Sequence, residues 1–193
     1  MGTDEHKTIE TSGNGTYSEK RSKFLSFSHH VESEEEIKDI LLSYRKKYYD
    51  ARHVCYAYML GSSCETFRAN DDGEPSSTAG KPILGQIKSN SLTDILVVVV
   101  RYYGGVNLGT GGLITAYKTA AALAISDSKT IVKFVEDVIT YKFPYTKMNN
   151  VMRIVKEMNP KIVSQKYDIM CEIKLSIRKS ESQILKNRLE NII

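Results

Sequence analysis

Apolar positions change their spacing several times along this chain, and each change marks an element. Phe24, Leu25, Phe27 and Val31 read as an extended strand from about residue 23. Ile37, Ile40, Leu41, Tyr44 and Tyr48 then recur at helical spacing behind Ser33 and Glu36, an S-x-x-E capping box. Residues 53–60 (HVCYAYML) and the run from Ile95 to Val100 have no polar face, as strands covered on both sides do not. Residues 65–70 predict a hairpin partner for the first of these. Ser76, Ser77 and Thr78 offer N-caps for a helix to about residue 88, and Ala116, Ala120, Ala121 and Ala124 predict a close-packed helix over about 113–126.

The pattern changes after residue 126. Residues 134–143 are strand-like, and Met148, Val151, Met152, Val155 and Met158 form a core-facing helical stripe that Asn159 and Pro160 end. Residues 162–167 predict another strand. Ile169, Cys171, Ile173, Leu175 and Ile177 then alternate with Met170, Glu172, Lys174, Ser176 and Arg178, a half-buried strand with one polar face. Ser180 and Gln183 form a second capping box before Ile184, Leu185, Leu189 and Ile192. This β-α-β-β-α order is one strand short of a ferredoxin-like unit. The first 16 or so residues, with Gly13, Asn14 and Gly15, read as a loose tail, and residues 127–133 as a linker. The expectation is an α+β protein of two domains, residues 17–126 and 134–193.

Composition narrows the class. The 193 residues are 41% hydrophobic and 26% charged, near globular averages, so wholesale disorder is excluded. No apolar run approaches the roughly 18 residues of a spanning helix, and the polar start of the chain has no signal-peptide core, so no membrane contact is expected. Three cysteines without a C-x-x-C pair suit reduced thiols in the cytoplasm. Residues 1–126 carry 14 basic and 15 acidic side chains, residues 127–193 carry 13 and 8. The basic excess of the last third permits contact with nucleic acid, and Lys174 and Arg178 on its polar strand face are candidates for that contact.

Four constellations carry candidate chemistry. Asp71, Asp72 and Glu74 fall within four residues and suit a divalent cation, acid–base work, a docking edge or simply the start of the next helix. Gly104, Gly105, Gly109, Gly111 and Gly112 form a loop between a buried strand and a helix, which suits either an anion cradle or a tight turn. It lacks the Lys of a P-loop and the G-x-G-x-x-G spacing of a dinucleotide site. His53 and Cys55 share a strand face without zinc-ligand spacing, and a packed His is the simpler account. Arg101, Tyr102 and Tyr103 end the second buried strand, where open α/β sheets collect ligands, and suit phosphate contact and base stacking. No catalytic residue, metal ligand or cofactor is assigned.

Three blocks taken together are more specific: A-R-H-V-C-Y-A-Y from Ala51, D-D-G-E-P-S-S-T-A-G-K-P-I-L from Asp71, and V-V-R-Y-Y-G-G-V-N-L-G-T-G-G-L-I-T-A-Y from Val99 to Tyr117. In this order they resemble the YigZ/IMPACT family. Ser77 and Lys81 stand where that family usually has Gly and Arg, and Tyr103 and Thr115 where it has Phe and Arg. The resemblance implies an N-terminal domain like the second domain of a small-subunit ribosomal protein. It also implies a C-terminal ferredoxin-like domain like those of elongation factor G, here without its last strand. Ser76, Thr78, Lys81 and Tyr117 join the binding candidates because they lie in the matched blocks. Eukaryotic members regulate translation by binding a ribosome-associated activator, so the resemblance implies a cytoplasmic, non-enzymatic factor that binds a ribosome-associated protein or RNA. The alternatives are a small hydrolase using a metal held by Asp71, Asp72 and Glu74, or a pure protein-interaction module. The sequence does not indicate an oligomeric state.

Overall fold

A computed structural model describes residues 4–192 and divides the chain into two compact units. The first runs from His6 to Lys133; the second joins Asp4 and Glu5 to the chain from Phe134 onward. Among the described residues no helix is long and apolar enough to cross a membrane.

The first unit is built on a five-stranded sheet. Its strands are β2 (Gly13–Glu19), β3 (Ser22–His30), β4 (His53–Leu60), β5 (Thr66–Asn70) and β6 (Ile95–Tyr102), in the order β2-β3-β6-β4-β5. Every neighbouring pair is antiparallel, so the ligand rule for open parallel sheets does not apply here. Residues Ile95 through Val100 are each fully buried, because both sheet faces are covered. Ile95, Val97 and Val99 pack under α2 (Gly80–Ser89) and α3 (Gly109–Asp127), whereas Leu96, Val98 and Val100 pack under α1 (Glu34–Lys47). Burial of each such side chain contributes about 1.5–3 kcal/mol.

Two expectations fail at the edges of this unit. The supposed tail forms β1 (Glu5–Thr11) and β2, and the supposed linker forms β7 (Lys129–Phe134), which pairs with β1. Thr11 Oγ1 accepts from the Lys129 N–H at one end of this ribbon, and the Asp4 carbonyl accepts from the Val135 N–H at the other, so the strands run antiparallel. The α1 capping box forms by half. Ser33 Oγ accepts from the Glu36 N–H, but the Glu36 carboxylate reaches back to the Glu32 N–H rather than to Ser33.

The second unit has β8 (Glu136–Pro144), α4 (Met148–Met158), β9 (Lys161–Lys166), β10 (Met170–Arg178) and α5 (Lys179–Glu190), with strand order β8-β10-β9. That is the predicted β-α-β-β-α. Cys171, Ile173, Leu175 and Ile177 are buried with Val151, Val155, Leu185 and Leu189, while the methionines of α4 pack at the margin of this core. Ile169 departs from the alternation: it lies before the strand and is 85% exposed.

The open face of β10 is not a free basic platform. Lys142 and Lys166 both reach Glu172, and Ser176 is buried and donates to Glu136. Arg178 grips the Asp4 carboxylate at 2.7 and 2.8 Å, reaches Glu5, and lies 4.1 Å from the Phe134 ring centre. Its guanidinium is therefore committed inside the unit. Nor does the second capping box form: α5 has no side-chain cap, and Asp4 accepts from the Ser180 N–H instead.

Candidate functional site

The site lies where β6 ends, and strand parity decides what reaches it. Arg101 continues the Ile95–Val97–Val99 face and turns under α3, whereas Tyr102 continues the opposite face and donates its hydroxyl to Asp50. The expected Arg101–Tyr102 grip is thus split by the sheet. Tyr103 remains on the Arg101 side, with its ring centre 5.5 Å from the guanidinium and its hydroxyl on Asn107.

Arg101 is not free for a ligand either. Its side chain is 6% exposed and donates to Glu74 Oε1 at 2.5 Å; Glu74 is 3% exposed. The same carboxylate oxygen accepts from the Tyr117 hydroxyl at 2.8 Å, and His53 Nε2 stands 3.8 Å away. Tyr117, fully buried, also accepts from the Cys55 thiol. Burial, with the neighbouring Glu74 charge, holds both the Tyr117 phenol and the Cys55 thiol protonated far above their ordinary values. Cys55 is fully buried, and its thiol faces the Asp71 carbonyl and the Tyr117 hydroxyl instead of His53. The His53 Nδ1–H donates to the Asp72 carbonyl at 2.7 Å, while Cys55 donates to the Asp71 carbonyl.

The three carboxylates of the D-D-G-E turn diverge. Asp71 accepts from the Ser77, Ala79 and Gly80 N–H groups and so caps α2 from outside the helix; Ser76, Ser77 and Thr78 give α2 no side-chain cap. Burial would raise the Asp71 carboxyl, but those N–H groups outweigh it and hold the carboxyl below its usual range. Asp72 takes the Val54 N–H and Arg45, and Glu74 turns inward to Arg101. Among the described residues no three His, Cys, Asp or Glu side chains converge as a metal would require. Lys81 is exposed on the first turn of α2, and Thr78 is buried with its hydroxyl on the Pro75 carbonyl.

The glycine loop closes the site on the other side. Gly105 and Gly109 have φ of +81° and +71°, a region costly for other residues. Gly104 has a different need, since a Cβ there would lie 2.1 Å from the backbone carbonyl carbon of Arg21, in the β2–β3 turn. Helix α3 starts at Gly109, earlier than expected, so Gly111 and Gly112 belong to its first turn. Between the turn and the loop lies an open cavity of about 470 Å³, lined by Arg52, His53, Glu74, Arg101, Tyr103 and the start of α3. Lys174 and Arg178 belong to the other unit.

Sequence reasoning missed Arg52, the β2–β3 turn residues Lys20 and Arg21, and Lys23 at the start of β3. All four are exposed. The signal was available in Arg52, which directly precedes His53, but the turn becomes a neighbour of the site only through the sheet order.

The Impact N-terminal domain family model matches residues 20–125. The chain is 32% identical over 160 residues to IMPACT family member YigZ of Escherichia coli, covering 82% of this chain and 78% of that one. It is 40% identical over 110 residues to IMPACT family member YvyE of Bacillus subtilis, covering 57% and 51%. A crystal structure described as that of a hypothetical protein superposes with a TM-score of 0.74 at 28% identity, over 96% of this chain and 91% of the other.

Proposed function

This chain belongs to the Impact family, and from that premise we propose that it is a non-enzymatic regulator of translation, acting in the cytoplasm by binding a ribosome-associated protein or RNA. The observation that carries the non-enzymatic part is the way the buried groups at the site pair with one another, with Arg101 Nε left without a hydrogen-bond partner. Arg101 neutralises Glu74, Tyr117 and Cys55 are held protonated, and His53 is pinned to a carbonyl. Such a network holds the turn, the loop and the strand end in one shape, and it leaves Glu74, Tyr117 and Cys55 engaged with one another instead of free to act as base or nucleophile. The diverging carboxylates also speak against the metal-dependent hydrolase and against an acidic docking edge, because Asp71 and Glu74 face inward. The family's eukaryotic members supply the translational part of the reading.

Co-sedimentation with ribosomes over a salt series, with and without RNase, tests it. The protein is expected in the ribosomal pellet at low salt. Loss of that association on RNase treatment identifies RNA as the contact, and its retention identifies a protein. Absence from the pellet at every salt concentration overturns the proposal.

A further inference from the structure

Lys20, Arg21, Lys23 and Arg52 are exposed and make no ion pair among the described residues, and the fold gathers them at one end of the first unit's sheet. Lys23 sits directly across from Tyr102, and the Arg52 N–H donates to the Arg101 carbonyl. The two cations flank the end of β6, but Lys23, in register with Tyr102, lies on the α1 face with Leu25, whereas Arg52 lines the cavity beside Tyr103. Gly104 presses the Lys20–Arg21 turn against the glycine loop, which adds two more charges to this end of the sheet. Two of the acidic groups nearby are charge-paired, Glu74 with Arg101 and Asp72 with Arg45, while Asp50 and Glu19 keep their charge and accept from the Tyr102 and Tyr17 hydroxyls. Beside these charges Tyr103 is 45% exposed, its ring set by Arg101 and Asn107.

Unpaired cations from two separate segments, with a fixed aromatic ring beside them, match single-stranded nucleic acid: charges follow the backbone and a base stacks on the ring. An acidic peptide would use the charges but has no need of the ring. We propose that this end of the first unit binds single-stranded RNA, with phosphates along Lys20, Arg21 and Arg52 and a base on Tyr103. This rests on the translational reading and names its partner and surface.

The test is fluorescence anisotropy of a labelled twelve-nucleotide oligouridylate with the full chain over a salt series, alongside ribosome co-sedimentation of the same proteins. Arg21→Glu with Arg52→Glu is expected to weaken binding and flatten the logarithmic salt slope by about 1.4, from roughly 0.7 per lost contact. Tyr103→Ala is expected to weaken binding roughly five- to a hundredfold with the slope unchanged. Lys156→Glu with Lys186→Glu, on helices of the other unit, is the charge-matched control, and circular dichroism confirms that each variant is folded. An equal effect from the control pair overturns the proposal. So does a protein that ignores the oligonucleotide but binds a polyglutamate peptide through the same cations. If the protein co-sediments with ribosomes and the patch variants change nothing, this surface falls and the translational reading stands. If oligouridylate binds through the patch but ribosomes are ignored, the surface stands and the translational reading falls.

Discussion

Glu74 and Arg101 form an ion pair of 2.5 Å in which neither side chain is more than 6% exposed, and this pair ties the D-D-G-E turn to the end of the central strand. Removing one member leaves the other charge buried without its partner, which costs about 3–5 kcal/mol, whereas an apolar replacement of the whole pair can be near neutral. Arg101→Met and Glu74→Leu are each expected to lower the unfolding free energy from urea titration by that amount, and the double variant to recover most of the loss. Additive losses would show that the two residues do not act as a pair.

Asp71 accepts three N–H groups and caps α2 without belonging to it. Asp71→Ala is expected to destabilise the protein by about 2 kcal/mol, at the upper end for a lost cap. Asp71→Asn should retain part of the effect, since its carbonyl oxygen still accepts. Chemical denaturation at constant m-value checks both.

Ser77 adopts φ +66° where the resembled family usually has Gly. Left-handed backbone costs a non-glycine residue roughly 1–2 kcal/mol, against 0.5–1 kcal/mol for the added freedom of glycine in the unfolded chain. Ser77→Gly is therefore expected to stabilise by about 0.5–1 kcal/mol, the reverse of the usual effect of introducing glycine. A lower melting temperature would contradict this.

The glycine loop is expected to divide by position. Gly104→Ala forces a methyl group into the Arg21 backbone and should cost about 1–3 kcal/mol. At Gly111 a Cβ meets open space in a helical turn, so Gly111→Ala should be neutral or stabilising by up to about 1 kcal/mol. Thermal melts of the two variants discriminate directly.

Asp4 is 3% exposed, and hydrogen bonds from Arg178, then from Ser180, hold its carboxyl far below the ordinary 3.8. A depressed folded-state pKa adds stability that is present above the unfolded value and is lost as pH falls through the folded one. The second unit should accordingly weaken below about pH 4, and Asp4→Asn should remove that part of the acid dependence. Denaturation followed from pH 7 to pH 2 in both proteins reads the difference.

The interior of this fold was legible because its periodicities are strong. β4 and β6 lack a polar face, α1 and α4 carry clear stripes, and β10 alternates from Cys171 to Ile177. The edge strands were not. Ile9 is the one buried aliphatic of β1, and β2 reads GNGTYSE, which looks like a flexible tail. Its glycines serve the opposite purpose: a Cβ at Gly13 would lie 2.2 Å from the Ala124 carbonyl oxygen, so the small residue lets α3 sit directly on the strand. Composition alone does not separate a glycine kept for freedom from one kept for close approach. At the site, strand parity separates Arg101 from Tyr102, but only the buried pairing with Glu74 shows that Arg101 is unavailable to a ligand.

The β1–β7 ribbon also sets how the first unit responds to force. Its two ends leave side by side on antiparallel strands, so tension applied there peels the ribbon one hydrogen bond at a time instead of loading all of them together. An unfoldase pulling on either end of the unit would meet this zipper first. The buried sheet behind it would feel the load only after β1 and β7 had parted.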